Sequence, residues 1–351
     1  MNQNTKLTRI REHPREATGQ SPDELITTVS DILEEMLANL RISHCSVDFN
    51  QELLEAPLVE ARNRGYALSG VHSLRHALSM GVYLTSTMYG HVTDNAQRTY
   101  IIFYIMFMFY VDDTYFGKSD RENGLLFFIS RFNQNQPQEE PSLTAFATFL
   151  REDTATVFEP IGGGIIIASS LNFINGMILE SSVSVAQISP FAQGFPYFVR
   201  NKSGFAEACI ILAFPRDMPV IHYAQAFPEM LYFVLDLTLR PSDIMSFYKE
   251  ELVGESENLV SLLAAVTDSK IEFFQNFKIC GSGSPCIPVT RHEKYEVLRH
   301  LSRAVSLGHQ RTLQILAGAP LAREVYLKLA KGYVCMYISM RERYKLDELN
   351  L

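Results

Sequence analysis

An uninterrupted apolar run, "IIFYIMFMFYV" from Ile101 to Val111, ends in two adjacent carboxylates, Asp112 and Asp113. A helix needs about 20 apolar residues to span a bilayer, so this run predicts a helix buried in a protein core and no membrane span. Two neighbouring carboxylates repel each other unless a cation or an arginine lies between them. The run therefore predicts a core helix whose end needs a positively charged partner.

Composition agrees with a folded, largely apolar interior. The chain has 351 residues, of which 47% are hydrophobic and 20% charged, so a large core can be buried. Its net charge of −8 excludes nucleic acid as an expected partner, because phosphate backbones require a basic face.

The N-terminal residues and the cysteines predict a cytoplasmic location. The stretch "MNQNTKLTRIREHPREATG" is polar and has no apolar signal region. Five cysteines, an odd number, are scattered along the chain and are expected to be reduced thiols.

Helical periodicity runs through most of the chain after a polar tail at residues 1–20. "SPDEL", beginning at Ser21, is typical of a helix start, with a capping serine, proline at the first position and acidic residues in the first turn. No hairpin signal separates the apolar segments. We therefore predict one all-α domain at 21–351, with further helices near 48–64, 71–88, 95–114, 121–133, 142–155, 163–186, 219–240, 242–253, 256–277, 290–317 and 320–345.

A second polar motif, "PSDIMSFYKEE", begins at residue 241. Ser242, Ser246 and Glu250 are spaced four residues apart and would share one helical face, with Lys249 beside them. Hard oxygen ligands of this kind suit Mg²⁺. The residues alone leave a second interpretation open, namely a solvated helix start with a capping serine.

Three basic residues are candidates for binding a diphosphate: Arg200 in "FPYFVRNKSG", Lys249, and Arg343 in "RERYKL". Arginine is well suited to this task because its planar fork matches phosphate oxygens. Any one of them alone is more often a surface residue, so the indication comes from the set and its order.

These motifs together resemble the fungal sesquiterpene cyclases of the trichodiene synthase family, within the class I terpene synthases. The resemblance covers about residues 100–346 and rests on four stretches in the family's order: "VDDTYF", "FPYFVRNKSG", "SDIMSFYKE" and "RERYKL". It implies a single-domain α-helical bundle around a central apolar cavity. The implied enzyme is a Mg²⁺-dependent cyclase, or lyase, that ionises farnesyl diphosphate and cyclises the cation to a C15 hydrocarbon or alcohol, releasing diphosphate.

The resemblance also implies roles for individual residues and a cofactor of three Mg²⁺ ions. Asp112 would bind metal, and Asp113 would pair with Arg343 when the site closes. Ser242, Ser246 and Glu250 would hold the third ion. Arg200, Lys249, Arg343 and Tyr344 would bind the diphosphate, and a homodimer is expected as in the family.

Aromatic residues near the first motif are candidate walls of the cavity, above all Phe109 and Phe116. Aromatic faces can stabilise carbocations, although ordinary core packing explains most such rings. Phe116 also occupies the fifth position of the aspartate motif, where an acid is usual in the family.

The second motif departs from the family pattern at Ser242, where asparagine or aspartate is usual. A neutral hydroxyl is a poorer Mg²⁺ ligand, so a cyclase-derived protein that binds a prenyl diphosphate with little turnover is the alternative function. His72 and His76 have the spacing of a helical metal pair, but no third ligand or glutamate base follows nearby, so we do not predict zinc.

Overall fold

The structure is a computed structural model that describes residues 22–42, 51–115, 122–182, 189, 191–192, 194–237, 244–253, 259–266 and 291–349. No β-strand occurs in these residues, which confirms the all-α prediction. The helices are α1 Pro22–Leu40, α2 Glu55–Asn63, α3 Arg75–Thr87, α4 Asn95–Tyr115, α5 Glu122–Leu126, α6 Phe128–Asn133, α7 Pro141–Val157, α8 Pro160–Ser182, α9 Phe195–Ser203, α10 Ala206–Ala213, α11 Phe227–Leu237, α12 Phe247–Val253, α13 Leu259–Val266, α14 Arg291–Ile315, α15 Pro320–Ser339 and α16 Arg341–Tyr344. Short 3₁₀ turns cover Gln51–Leu54, Val220–His222, Ala224–Ala226, Leu316–Gly318 and Leu346–Leu349.

The long periodic segments are placed well by the sequence, and two short helices are missed. The helix predicted at 95–114 is α4, and the one predicted at 142–155 is α7. Neither α9 nor α10 is predicted. In α10 nearly every residue is buried, so its sequence "AEACIILA" has no polar face to reveal a helical period.

Helix α4 is a central element of the core. Its residues from Tyr100 to Met108 are all buried. It packs mainly against α3, and also against α7, where Phe107 stacks on Phe146 with ring centroids 5.2 Å apart. The apolar run is thus a core helix, as its length predicts.

Close backbone approaches hold α3 on two sides. A Cβ atom on Gly81 would lie well inside van der Waals contact with the carbonyl oxygen of Ile102 in α4. A Cβ atom on Gly332 of α15 would similarly overlap the carbonyl of Met88, which follows α3. Helix α3 therefore lies between α4 and α15 at distances that only glycine permits.

Among the described helices, α8 has the length and apolar composition that a membrane span requires, and half of that window is buried inside the protein. The prediction of no span was based on the shorter run in α4. In the structure α8 packs against α7, α9 and α10, as a core helix of a bundle does.

Two cysteines lie in the described residues. Cys209 is a buried free thiol, and its burial raises its pKa to about 11. Cys335 is disulfide-bonded, so the expectation that every cysteine is a reduced thiol is wrong at this position.

Candidate active site

The first candidate motif lies on the last turn of α4. Asp112 is half-buried and Asp113 is exposed, while the residues just before them are buried in the core. The carboxylates therefore stand where a rigid core helix reaches the edge of the packed interior.

The position of this pair is electrostatically unfavourable by itself. The C-terminal end of a helix carries the negative end of the helix dipole, and the last turn of α4 contains no basic residue. Two carboxylates in that turn add negative charge to negative dipole. A cation at this end of α4 would offset both the repulsion between the carboxylates and their unfavourable interaction with the helix dipole.

The second candidate motif is centred on the start of α12. Ser246 precedes the helix and Glu250 lies in its first turn; both are buried, and Glu250 has no exposed surface. The backbone N–H of Glu250 donates to the carbonyl of Ser246 at 3.1 Å, so the two residues are one helical turn apart. Lys249, between them in sequence, is half-buried.

Burial excludes one of the two interpretations of this segment. A solvated helix start would leave its carboxylate and hydroxyl in water, whereas those of Glu250 and Ser246 are inside the protein. A carboxylate is buried at a large cost in free energy unless it is paired with other groups. The location of Glu250 near a helix N-terminus lowers this cost, since the dipole there is positive.

Two polar contacts fix α12 in the bundle. Lys294 of α14 contacts Glu251 at 2.7 Å, and both side chains are largely buried. The hydroxyl of Tyr248 donates to Glu348 at 2.5 Å. The pKa of Tyr248 is raised above its ordinary value, mainly by burial and to a smaller extent by the hydrogen bond to Glu348. The phenol therefore stays protonated and acts as the donor.

The contact with Glu348 connects α12 to the C-terminal candidates. Arg343 is exposed at the end of α16, and its guanidinium carbon lies 5.9 Å from the ring centroid of Tyr344. Tyr344 is half-buried and packs on Tyr337 with ring centroids 4.8 Å apart. Lys345 then adopts a left-handed backbone (φ 57°) that turns the chain into the segment containing Glu348.

The remaining predicted residues are only partly described. Arg200 lies in α9, but its side chain is outside the described part of the structure, as are Ser242 and Phe116. Phe109 is half-buried and packs against the core. Its role as a cavity wall stays a prediction.

The sequence analysis missed a polar cluster around Tyr110, two residues before Asp112 in α4. The hydroxyl of Tyr110 in α4 donates to Glu140 at 2.7 Å, and Nδ1 of His72 lies 2.5 Å from the other oxygen of Glu140 and 3.1 Å from the Tyr110 hydroxyl. Tyr110 and Glu140 are both buried. His72 precedes α3 instead of belonging to it, so its spacing to His76 is not that of a helical metal pair.

The donor set suits Mg²⁺. Asp112, Ser246 and Glu250 offer only hard oxygen atoms, the ligand type that Mg²⁺ prefers over soft sulfur or imidazole nitrogen. Within the described residues no group of three or more histidine, cysteine, aspartate or glutamate side chains could hold a metal on its own. The predicted set instead combines carboxylates with serine hydroxyls and comes from separate helices.

A cavity of about 620 Å³ is lined by residues of α7, of the segment before it and of the segment that follows α2. Its lining includes Arg64, Tyr66, Gln138, Glu140 and Glu152. None of the predicted site residues that the structure describes lines this cavity, so it does not correspond to the apolar cavity that the sequence analysis expects.

Comparison with known proteins finds fungal terpene synthases. Alpha-cuprenene synthase from Coprinopsis cinerea is 28% identical over 323 residues, which cover 92% of this chain and 90% of the relative. Terpene synthase BipA from Cochliobolus sativus is 29% identical over 252 residues, covering 71% and 74% of the two chains. Monoterpene synthase 25 from Postia placenta is 26% identical over 330 residues, covering 92% and 87%. No protein-family model matches the chain.

Solved structures agree on the fold. The linalool/nerolidol synthase of Streptomyces clavuligerus, in complex with 2-fluorogeranyl diphosphate, superimposes with a TM-score of 0.55 at 13% identity, covering 86% of this chain and 96% of that one. The chain thus has the all-α fold of class I terpene synthases. The relatives support the resemblance at the level of fungal terpene synthases, and the narrower trichodiene synthase family stays a prediction.

Proposed function

We propose that this protein is a Mg²⁺-dependent class I sesquiterpene synthase that ionises farnesyl diphosphate and cyclises the carbocation to a C15 hydrocarbon or alcohol. The observation that carries the proposal is the burial of Ser246 and Glu250 one turn apart at the start of α12, in a chain whose core helix α4 carries Asp112 and Asp113 in its last turn. Oxygen donors at the ends of core helices provide a rigid frame for hard cations.

Asp112, Ser246 and Glu250 would hold the metal, with Ser242 completing the set. Bound Mg²⁺ would supply a Lewis acid that stabilises negative charge on the leaving diphosphate. Asp112 and Glu250 belong to different helices, so their carboxylates can approach one ligand from two sides only while both helices keep their places.

The basic residues have a separate task in the proposal. Arg343 and Tyr344 would donate hydrogen bonds to the diphosphate, together with Lys249 and Arg200. The packing of Tyr344 on Tyr337 and the link from Tyr248 to Glu348 hold the C-terminal segment beside α12. In this proposal, the diphosphate-binding residues of the C-terminal segment would therefore be held beside the metal-binding residues of α12.

An allylic cation formed in such a site must be protected from water until it has cyclised. The core around α4 is rich in buried aromatic side chains, which would exclude water from such a site. The hydrocarbon part of the substrate is expected to bind against these side chains, and its diphosphate against the charged residues.

The decisive experiment is incubation of the purified protein with farnesyl diphosphate, with and without Mg²⁺, followed by gas chromatography–mass spectrometry of the extract. A Mg²⁺-dependent cyclic C15 product is expected. Geranyl diphosphate is tested in parallel, because a relative is named as a monoterpene synthase and a similar solved structure contains a geranyl diphosphate analogue. Preference for the shorter chain would contradict the sesquiterpene assignment, and diphosphate binding by calorimetry without any product would favour the alternative binding protein.

The metal assignment has a matched pair of variants on α12. Glu250→Gln removes the buried carboxylate that would hold metal, and product formation should fall by at least about 100-fold, the range seen when one preorganised charge-stabilising group is lost. Glu251→Gln changes the neighbouring carboxylate, which contacts Lys294. That variant should lose stability but keep turnover per folded molecule within a few-fold, and equal losses in both would argue against a metal role for Glu250.

A cytoplasmic location and a homodimer stay predictions from the sequence and the family resemblance. Size-exclusion chromatography with light scattering measures the oligomeric state directly.

A further inference from the structure

We propose that Glu140, Tyr110 and His72 form a positioning network that holds the last turn of α4, and with it Asp112, in the orientation needed for metal binding. The inference rests on the proposed function and deepens it by assigning residues that act through Asp112. None of the three is expected to touch metal or substrate.

The network joins three separate segments behind the candidate metal ligand. Tyr110 belongs to α4, Glu140 immediately precedes α7, and His72 precedes α3. The hydroxyl of Ser142 also donates to the backbone carbonyl of His72 at 2.8 Å, which attaches the His72 segment to the start of α7. Both side chains that contact the Tyr110 hydroxyl are therefore attached to the start of α7.

The direction of these contacts matters for Asp112. Successive residues on an α-helix are turned by about 100°, so Tyr110 and Asp112 project from nearly opposite sides of α4. The network therefore contacts the side of α4 opposite to the one that carries Asp112. A rotation of α4 about its axis would move Asp112 and would require Tyr110 to leave Glu140.

The acceptor of the Tyr110 hydrogen bond is the buried carboxylate of Glu140 and not a neutral group. Burying Glu140 costs free energy that a neutral acceptor would avoid. The same two helices are joined near their other ends by Tyr100 and Thr154, whose hydroxyls lie 2.7 Å apart in the core. A neutral hydroxyl is sufficient to fasten α4 to α7 there, so fastening alone does not require a charge.

A charged acceptor makes a shorter and stronger hydrogen bond than a neutral one. Glu140 therefore holds the Tyr110 hydroxyl more firmly than a neutral acceptor would. Hydrogen-bonded groups behind metal ligands are known to set ligand orientation, and their loss weakens metal binding in many proteins. The geometry assigns this role to Glu140 through Tyr110.

The test compares two tyrosine variants of the same helix. Tyr110→Phe removes the bond to Glu140, and Tyr100→Phe removes the bond to Thr154 at the other end. Product formation from farnesyl diphosphate is measured as a function of Mg²⁺ concentration, and thermal unfolding is followed by circular dichroism. Both variants should lose comparable stability, because each loses one buried tyrosine hydrogen bond.

Only Tyr110→Phe should change the metal dependence. Its half-saturating Mg²⁺ concentration should rise by about 5–10-fold, toward the range typical of lost groups behind metal ligands. Tyr100→Phe should leave this concentration unchanged within error. Equal shifts in the two variants, or no shift in Tyr110→Phe, would overturn the positioning role while leaving the proposed activity intact.

Two substitutions at Glu140, one that keeps a hydrogen-bond acceptor and one that removes it, provide a second test. The amide oxygen of Glu140→Gln can still accept from Tyr110, whereas Glu140→Ala cannot, so the Mg²⁺ shift should be larger in the alanine variant. If the wild-type protein makes no product, the same comparison is made by calorimetry with Mg²⁺ and inorganic diphosphate. Absence of both product and diphosphate binding in the wild type would overturn the proposed function and this inference with it.

Discussion

The two ends of α4 carry the same residue type with opposite physical consequences. Asp94 precedes the helix, and its carboxylate accepts a hydrogen bond from the N–H of Gln97 at 2.8 Å. At that end the helix dipole is positive, so the aspartate is a stabilising cap. At the other end Asp112 and Asp113 meet the negative end of the same dipole.

The residues around the two ends of α4 also differ: they are mainly aromatic near its start and polar near its end. Near the start of α4, Tyr100 stacks on Phe149 with ring centroids 4.6 Å apart and shares a hydrogen bond with Thr154. Near the end of α4, Tyr110 meets a carboxylate and a partly exposed histidine. One end is therefore dominated by aromatic packing, and the other places two carboxylates at the negative end of the helix dipole, where a bound cation would be stabilising.

The largest expected effect is on activity at the charged end. Asp112→Asn keeps the shape of the side chain but removes its charge, so product formation from farnesyl diphosphate should fall by at least about 1,000-fold. The thermal unfolding temperature without Mg²⁺ should change little. Activity within tenfold of the wild type would show that Asp112 does not hold metal and would remove the contrast between the two ends.

The next effect is on stability at the packed end. Phe149→Ala removes a buried ring that contacts Tyr100 and Phe107, and the free energy of unfolding should fall by about 3 kcal/mol or more. The half-saturating Mg²⁺ concentration of the remaining folded protein should stay near the wild-type value. A large rise in that concentration would mean that the two ends of α4 are not independent.

A smaller effect is expected where α4 meets α3. Gly81→Ala places a methyl group against the backbone of Ile102, and separating the helices should cost about 1–3 kcal/mol of unfolding free energy. Gly164→Ala in α8 is the matched control, since its added methyl group meets nothing within 4 Å. That control should be neutral or stabilise the protein by up to about 1 kcal/mol. Similar denaturation curves for the two variants would contradict the close approach of α3 and α4.

The smallest effect is expected from the capping aspartate. Asp94→Ala removes the side-chain acceptor for Gln97 and should lower the unfolding free energy by about 1 kcal/mol, with no change in Mg²⁺ dependence. Chemical denaturation monitored by circular dichroism measures the loss. A change in metal dependence as large as that of the Asp112 variant would abolish the distinction between the two aspartate positions.

The sequence predicts those helices best whose residues alternate between a buried and an exposed face. Helix α1 begins at Pro22, where "SPDEL" places the start, and α7 has a polar outer face that reveals its period. The segment predicted as one helix at 219–240 instead begins with two 3₁₀ turns, and regular helix starts only at Phe227. Helix α10 has no polar face and cannot be recognised from periodicity.

Some residues of the candidate site can be proposed from the sequence, and others become apparent only in the structure. Asp112, Ser246 and Glu250 can be proposed as ligands from the sequence because ligand chemistry requires particular residue types at particular spacings. Glu140 and His72 cannot be proposed from it, since they reach Tyr110 from 30 and 38 residues away in sequence and their meeting depends on how α7 and the segment before α3 pack. A local pattern contains the proposed ligands but not the groups that we propose orient them.

The two glycines at the contacts of α3 have a consequence for engineering this protein. Gly81 in α3 and Gly332 in α15 allow α3 to make backbone contact with α4 on one side and with α15 on the other. Helix α3 thereby acts as a spacer of fixed width between the helix that carries Asp112 and the helix that precedes Arg343. Variant libraries that reshape the interior should leave this spacer intact, because widening it would also separate the segments that carry Asp112 and Arg343.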